Sequence, residues 1–225
     1  MTSQAGLQAA KVVLRKKMKE KLGSLTAESK AQQSRRVTEK LLAMSQYRTA
    51  RSVALYLRWV LKPCISSNIA LSTSMDDEID TESIVADVLT GGKQCFIPRY
   101  EMGSSRMEMV RLRDLEDLAS LPRTKWNIRQ PELTEEREEA LEAGLDLIIV
   151  PGLAFSRAGA RCGRGRGYYD AYLARAATSL SSSPPLTIAL AFNEQLLEEV
   201  PTDSHDHTID LVITPSFHQT NSTAR

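Results

Sequence analysis

The run "GRGRGYYD", Gly163 to Asp170, brings three glycines, two arginines, two tyrosines and an acid together in eight residues. Glycine permits positive φ and leaves room for close approach, so such a run can turn its backbone N–H groups toward an anion. Arg161, Arg164 and Arg166 would add charge-assisted hydrogen bonds to phosphate oxygens. Before the run, "LDLIIV" reads as a buried strand punctuated by Pro151-Gly152; after it, "YYDAYLARAA" reads as a helix. A glycine loop that leaves a strand and opens a helix favours phosphate, because free N–H groups and the positive end of the helix dipole coincide there. The spacing is neither that of a P-loop nor that of a Rossmann turn. The Arg-Gly alternation also stops too soon for an RNA-contact tract. Composition alone leads to an anion site, with a solvated arginine loop as the plain alternative.

Other reactive types are scattered. Lys11 and Arg15 lie one helical turn apart in a basic stretch, Lys11 to Lys21, which holds six cations and one anion. "MDDEIDT" carries Glu78 beside Asp76 and Asp77, and alone reads as acids leading a helix. His205 and His207 in "DSHDH" are two apart with no further His or Cys cluster, a weak zinc pattern. Cys64, Cys95 and Cys162 are odd in number and far apart, so neither a disulfide framework nor a zinc site is indicated and a reducing compartment is expected. No Ser-His-Asp or Cys-His arrangement is evident.

The elements that must position these residues read as follows. Residues 7–22 and 28–44 have helical periodicity, and "SVALYL" (52–57) is an apolar strand. Asp80 or Thr81 caps a helix that ends at Gly91-Gly92, followed by the strands "QCFIP" and "MEMVRL". Beyond the glycine loop and its helix come the strands "LTIALAF" and "IDLVIT". The alternation predicts an α/β fold: a single three-layer domain over 1–214, with a mainly parallel central sheet flanked by helices. Residues 215–225 read as a frayed polar tail, and Arg58 to Thr73, which has neither helical nor strand period, as a looped-out insertion. The net charge of +1 argues against nucleic-acid coating. No apolar run is long enough to span a bilayer, and the N-terminus has no secretory core. Cytosol is the expected compartment, a weak transit peptide being the lesser reading.

Taken together, "PGLAFSRAGARCGRGRGYYDAYL", "QSRRVTEKLL", "DEIDTESIVADVL", "FIPRY", "MEMVRL", "WNIRQP" and "LAFNEQ…VPTDSHD" resemble, in order and over nearly the whole chain, the 5-formyltetrahydrofolate cyclo-ligase family. The resemblance implies Mg²⁺- and ATP-dependent cyclisation of 5-formyltetrahydrofolate to 5,10-methenyltetrahydrofolate, by a monomer with no nucleic-acid or membrane partner. It implies that Lys11, Arg15, Arg161, Gly163, Arg164, Gly165, Arg166, Gly167, Tyr168 and Tyr169 contact ATP. Leu57, Glu78 and Arg164 to Tyr168 would contact the folate, with Phe155 and Trp126 as further pocket residues. Asp170 and Asp206 would hold Mg²⁺, and Arg164, Arg166 and Tyr169 would act in catalysis. Three positions depart from the family pattern: Arg166 stands for its lysine, Cys162 for its leucine and Ser156 for its aspartate. An insertion that loops outward leaves Leu57 and Glu78 in place; one packed into the site would leave only a nucleotide- or folate-binding module. Sugar-phosphate isomerases and CoA-transferases are expected to share the architecture but not the paired loop and aspartate motifs.

Overall fold

Three apolar runs, Ser52–Leu55 (β1), Leu147–Val150 (β4) and Leu211–Ile213 (β9), are buried along their full length, as parallel strands covered on both faces must be. The computed structural model describes residues 4–57, 77–101, 103–104, 106–124 and 129–217. The first three helices are Gln4–Gly23 (α1), Ala27–Ala43 (α2) and Ser45–Thr49 (α3). After β1 come Glu82–Thr90 (α4), Gln94–Tyr100 (β2), Met107–Leu112 (β3), Leu115–Ser120 (α5) and Ala140–Ala143 (α6). Beyond β4 lie Ala154–Ser156 (β5), Arg161–Cys162 (β6), Tyr168–Ser179 (α7), Leu186–Leu190 (β7), a 3-10 turn at Asn193–Gln195, Leu196–Leu197 (β8) and β9.

The central sheet runs β3-β2-β1-β4-β7-β9, with β3 antiparallel to β2 and the other pairs parallel. Its side chains alternate between two cores. Val53, Leu55, Ile149 and Ile188 pack with Met18, Leu22, Val37, Leu41, Ile84 and Val88 on one face. Ala54, Ile148, Val150 and Ala189 pack with Tyr172, Leu173 and Ala176 of α7 on the other. Each fully buried aliphatic side chain contributes about 1.5–3 kcal/mol, so the two faces together fix the three layers. Thr26, which the sequence reading does not single out, starts α2 by accepting from the N–H of Ser29 at 3.1 Å; Gly91 follows α4 at its carboxyl end, where the sequence reading ends that helix.

This strand order places the site. From β1 the chain proceeds to β2 on one side, and from β4 to β7 on the other, so a crevice opens beyond the carboxyl ends of β1 and β4. The pairing of β1 with β2 ends at Ala54 and Phe96, and Pro98 lies beyond that last registered pair. Tyr56 then carries the chain away from β1, buried and tied to the segment that returns at residue 77. Its hydroxyl donates to the carbonyl of Ile79 at 3.2 Å, and its carbonyl accepts from Thr81 Oγ1 at 2.9 Å. The expected insertion, Arg58 to Thr73, and Trp126 lie outside the described residues.

Several elements escape the sequence reading. The helices α3, α5 and α6 have four to six residues each, too few to display a period. A second sheet, β6-β5-β8, is built from strands of two or three residues. Its β5–β6 turn requires Gly159, at φ +86°, where a Cβ would lie 2.1 Å from the carbonyl oxygen of Ile209. The chain is also still tied past residue 215, where fraying is expected: Ser216 donates to Asn193 Oδ1, and the N–H of Phe217 to Thr214 Oγ1.

Candidate active site

The crevice widens into a cavity of about 790 Å³, walled by α1, the ends of β1, β2 and β4, the loop from β6 to α7, and the segment around Asp206. The residues expected to bind ATP or metal line it, as do Leu57, Glu78 and Arg164 to Tyr168 of the folate set, although they come from positions as far apart as Lys11 and Asp206.

The glycine loop has the conformation its composition requires. Gly165 and Gly167 stand at φ +95° and +73°, and a Cβ on Gly165 would approach Arg15 Cζ to 3.2 Å. Arg15 braces the loop from α1, its Nε donating to the carbonyl of Gly163 at 2.9 Å. Gly167 occupies the N-cap of α7, where no side chain among the described residues caps the first-turn N–H groups. Arg166 is exposed on the loop and Arg164 is half-buried. The Arg164 guanidinium donates from Nη1 and Nη2 to the two carboxylate oxygens of Asp77, and from Nε and Nη2 to Glu78 Oε1 at 3.1 and 3.0 Å. Burial disfavours its charge, but Glu78 and Asp77 outweigh that cost and raise its pKa further.

Arg161 turns out to be a tie more than an open phosphate ligand. Its side chain is only 4% exposed, with Nη1 donating to the Pro151 carbonyl at 3.0 Å and Nη2 to Asp170 Oδ1 at 2.6 Å. It thereby joins the end of β4 to the start of α7. Asp170 Oδ1 also accepts from the N–H of His207 at 3.5 Å, which draws the two predicted metal-bearing segments together. In the neighbouring segment, Lys11 is 4% exposed, and its ammonium bridges Asp203 Oδ2, at 2.7 Å, and Asp206 Oδ2. Burial works against the charge of Lys11, yet the two aspartates raise its pKa, and the Lys11 hydrogen bond lowers Asp203 to about 2.

The aromatic wall consists of Tyr100 and Tyr168, stacked with centroids 5.3 Å apart, next to Tyr56, Leu57 and Pro98. The hydroxyl of Tyr169 is buried without a hydrogen-bond partner among the described residues, and burial, then Glu78, raises its pKa well above the usual tyrosine value. Burial likewise raises the pKa of the cavity-lining Cys162 thiol, which disfavours its thiolate.

Two expectations need correcting. Phe155 does not line the cavity: it is fully buried beneath Gly152, where a Cβ would meet its ring at 2.6 Å. Glu78 is no helix-leading acid, the plain alternative for it and its neighbours, because α4 begins four residues later at Glu82. Sequence reasoning also passes over Asp203, Tyr56 and Tyr100. The acids lie within "MDDE" and "DSHD", but their roles depend on cations 87 and 192 residues away. Gln195 is missed as well; its buried amide donates to the Gly152 carbonyl at 2.7 Å and its Oε1 accepts from the Phe192 N–H, fixing the β4 exit.

Among the described residues no three His, Cys, Asp or Glu side chains form a metal cage. Asp170 and Asp206 do suit an ion that takes one or two carboxylates plus phosphate and water, as Mg²⁺ does. Each now faces a cation, Arg161 or Lys11, so neither is an uncompensated charge.

The sequence model of the 5-formyltetrahydrofolate cyclo-ligase family matches residues 7–215. The chain belongs to that family. It is 43% identical over 208 residues to the mouse (Mus musculus) 5-formyltetrahydrofolate cyclo-ligase, covering 92% of this chain and 94% of that protein. The solved 5,10-methenyltetrahydrofolate synthetase of Aquifex aeolicus is 25% identical, with a TM-score of 0.69 over 96% of this chain and 94% of that one. The synthetase structure from Mycoplasma pneumoniae shares the fold, with a TM-score of 0.63 at 17% identity over 92% and 99% of the two chains. A mostly parallel α/β domain is thus the fold of this family of ligases. Among the described residues, no helix is long and apolar enough to cross a membrane.

Proposed function

We propose that the protein closes 5-formyltetrahydrofolate to 5,10-methenyltetrahydrofolate, driven by ATP. The observation that carries this reading is the convergence on one cavity of a glycine-arginine loop, two carboxylates suited to Mg²⁺ and an aromatic wall. A formamide carbon is a poor electrophile and its oxygen a poor leaving group. Transfer of the γ-phosphoryl group from ATP to the formyl oxygen remedies both. N10 then attacks the formyl carbon, and loss of the phosphorylated oxygen as inorganic phosphate, with ADP released, leaves the five-membered ring.

The protein positions and shields these reactants. Arg15 and the loop N–H groups would cradle the phosphates, and Lys11 would swing from Asp203 and Asp206 to the phosphate chain. Mg²⁺ held by Asp170 and Asp206 would neutralise phosphate charge during transfer. The pterin would lie along Leu57, Tyr56 and Pro98, with Glu78 accepting its N–H groups and Tyr169 offering its unpartnered hydroxyl. Arg164 and Arg166 would meet the negative charge that develops at transfer.

The test is ATP-dependent formation of methenyltetrahydrofolate, followed by its absorbance. Turnover that needs both ATP and Mg²⁺ is expected. Intact nucleotide binding without turnover would instead favour a binding module, the reading that the 58–73 insertion motivates.

A further inference from the structure

Asp77 stands behind Glu78. Its carboxylate takes both Nη groups of Arg164, its side chain is 8% exposed, and it does not line the cavity; Glu78 does. Two carboxylates thus meet at this guanidinium. The two are not equivalent. Asp77 offers both oxygens to the planar fork, the geometry that best fixes an arginine, whereas Glu78 offers only Oε1 to Nε and Nη2. The Asp77 backbone is also anchored nearby, since Ile79 is fully buried and tied to Tyr56, and the N–H of Asp80 donates to Ser34 Oγ at 3.1 Å.

We propose that Asp77 is a positioning residue that holds the Arg164 fork, so that Glu78 is released to accept the N–H donors of an incoming pterin. The inference rests on the folate reading above and deepens it. With Asp77 in place, Arg164 keeps a full counter-ion when Glu78 turns to substrate, and the glycine loop stays registered over the cavity. Without it, Glu78 is the remaining partner of Arg164, and the pterin must compete for the same carboxylate.

Equilibrium binding of 5-formyltetrahydrofolate without nucleotide tests this in a double-mutant cycle. Asp77→Asn should weaken binding about tenfold, equivalent to about 1.4 kcal/mol. In an Arg164→Ala background the same substitution should change binding less than about twofold, since no fork remains to be held. Binding by Asp77→Asn equal to wild type overturns the proposal. So does a loss that persists undiminished without Arg164, because that marks a general structural role. Wild-type protein that binds no 5-formyltetrahydrofolate overturns the folate reading itself, and this inference with it. A readout on unaltered protein covers the case in which Asp77→Asn does not fold. Nitrogen NMR of Arg164 should show the Nε–H resonance shift on saturation with 5-formyltetrahydrofolate while the Nη groups stay rotationally hindered. Nη groups that become freely rotating contradict the proposal.

Discussion

Arg164 and Arg166 are two residues apart in sequence and stand in opposite environments. Arg164 is locked by four hydrogen bonds to Asp77 and Glu78, whereas Arg166 lies exposed on the loop. Arg164→Ala should therefore abolish turnover in the absorbance assay, and a rate near wild type would remove it from the chemistry. Arg166 stands where the family pattern has lysine, so Arg166→Lys should keep kcat within about threefold. A larger loss would show that the planar group itself is used. Asp170 needs a gentler substitution than alanine. Because it neutralises the buried Arg161, Asp170→Ala should cost on the order of 3–5 kcal/mol in unfolding free energy. Asp170→Asn retains an acceptor and should lose turnover with a much smaller drop in melting temperature. If alanine melts like wild type, the Arg161 tie is unimportant.

At the scale of elements, the long periodic segments were legible and the short ones were not. Leu14, Met18 and Leu22 mark the inner side of α1, and the apolar run of β4 announces a strand, because each must bury a stripe or both faces. By contrast β5, β6 and β8 exist through mutual pairing of two or three residues, which leaves no local period. Among the described residues, the cavity residues named from the family motifs all line the cavity except Phe155, whose ring supports Gly152 from beneath. Asp77 and Asp203 were hidden because an ion pair made across the fold has no sequence spacing. The same holds for the joint of α5. There Arg137, 3% exposed, donates to both oxygens of Asp117 and to the Arg111 carbonyl. The hydrogen bond from Arg137 holds Asp117 below the usual aspartate pKa. A carboxylate depressed by folding stabilises above its unfolded value, about 3.9, and loses that contribution as pH falls through the folded one. Acid unfolding below about pH 4 should thus be shallower in Asp117→Asn, which should also be less stable at neutral pH by about 3–5 kcal/mol. Identical acid profiles for the two proteins would rule this joint out as a source of acid sensitivity.

In the whole molecule, one topological event gathers the site. The strand order reverses between β1 and β4, and the crevice there receives α1 from one end of the chain and Asp206 from the other. Leu57 and Glu78 flank the 58–76 segment and still line the same cavity, held together through Tyr56, Ile79 and Thr81. The insertion is accordingly proposed to be dispensable. Deleting Arg58 to Thr73 should leave turnover unchanged or higher, with little change in stability, since loop-closure cost varies slowly with length. A stable but inactive deletion protein would show that the segment takes part. The central claim, that phosphoryl transfer activates the formyl oxygen, can be read from the fate of one atom. With 5-formyltetrahydrofolate labelled by ¹⁸O in the formyl group and unlabelled ATP, the label should appear in the released inorganic phosphate, seen as an isotope shift in its ³¹P spectrum. Unlabelled phosphate accompanying full conversion to methenyltetrahydrofolate would contradict the account.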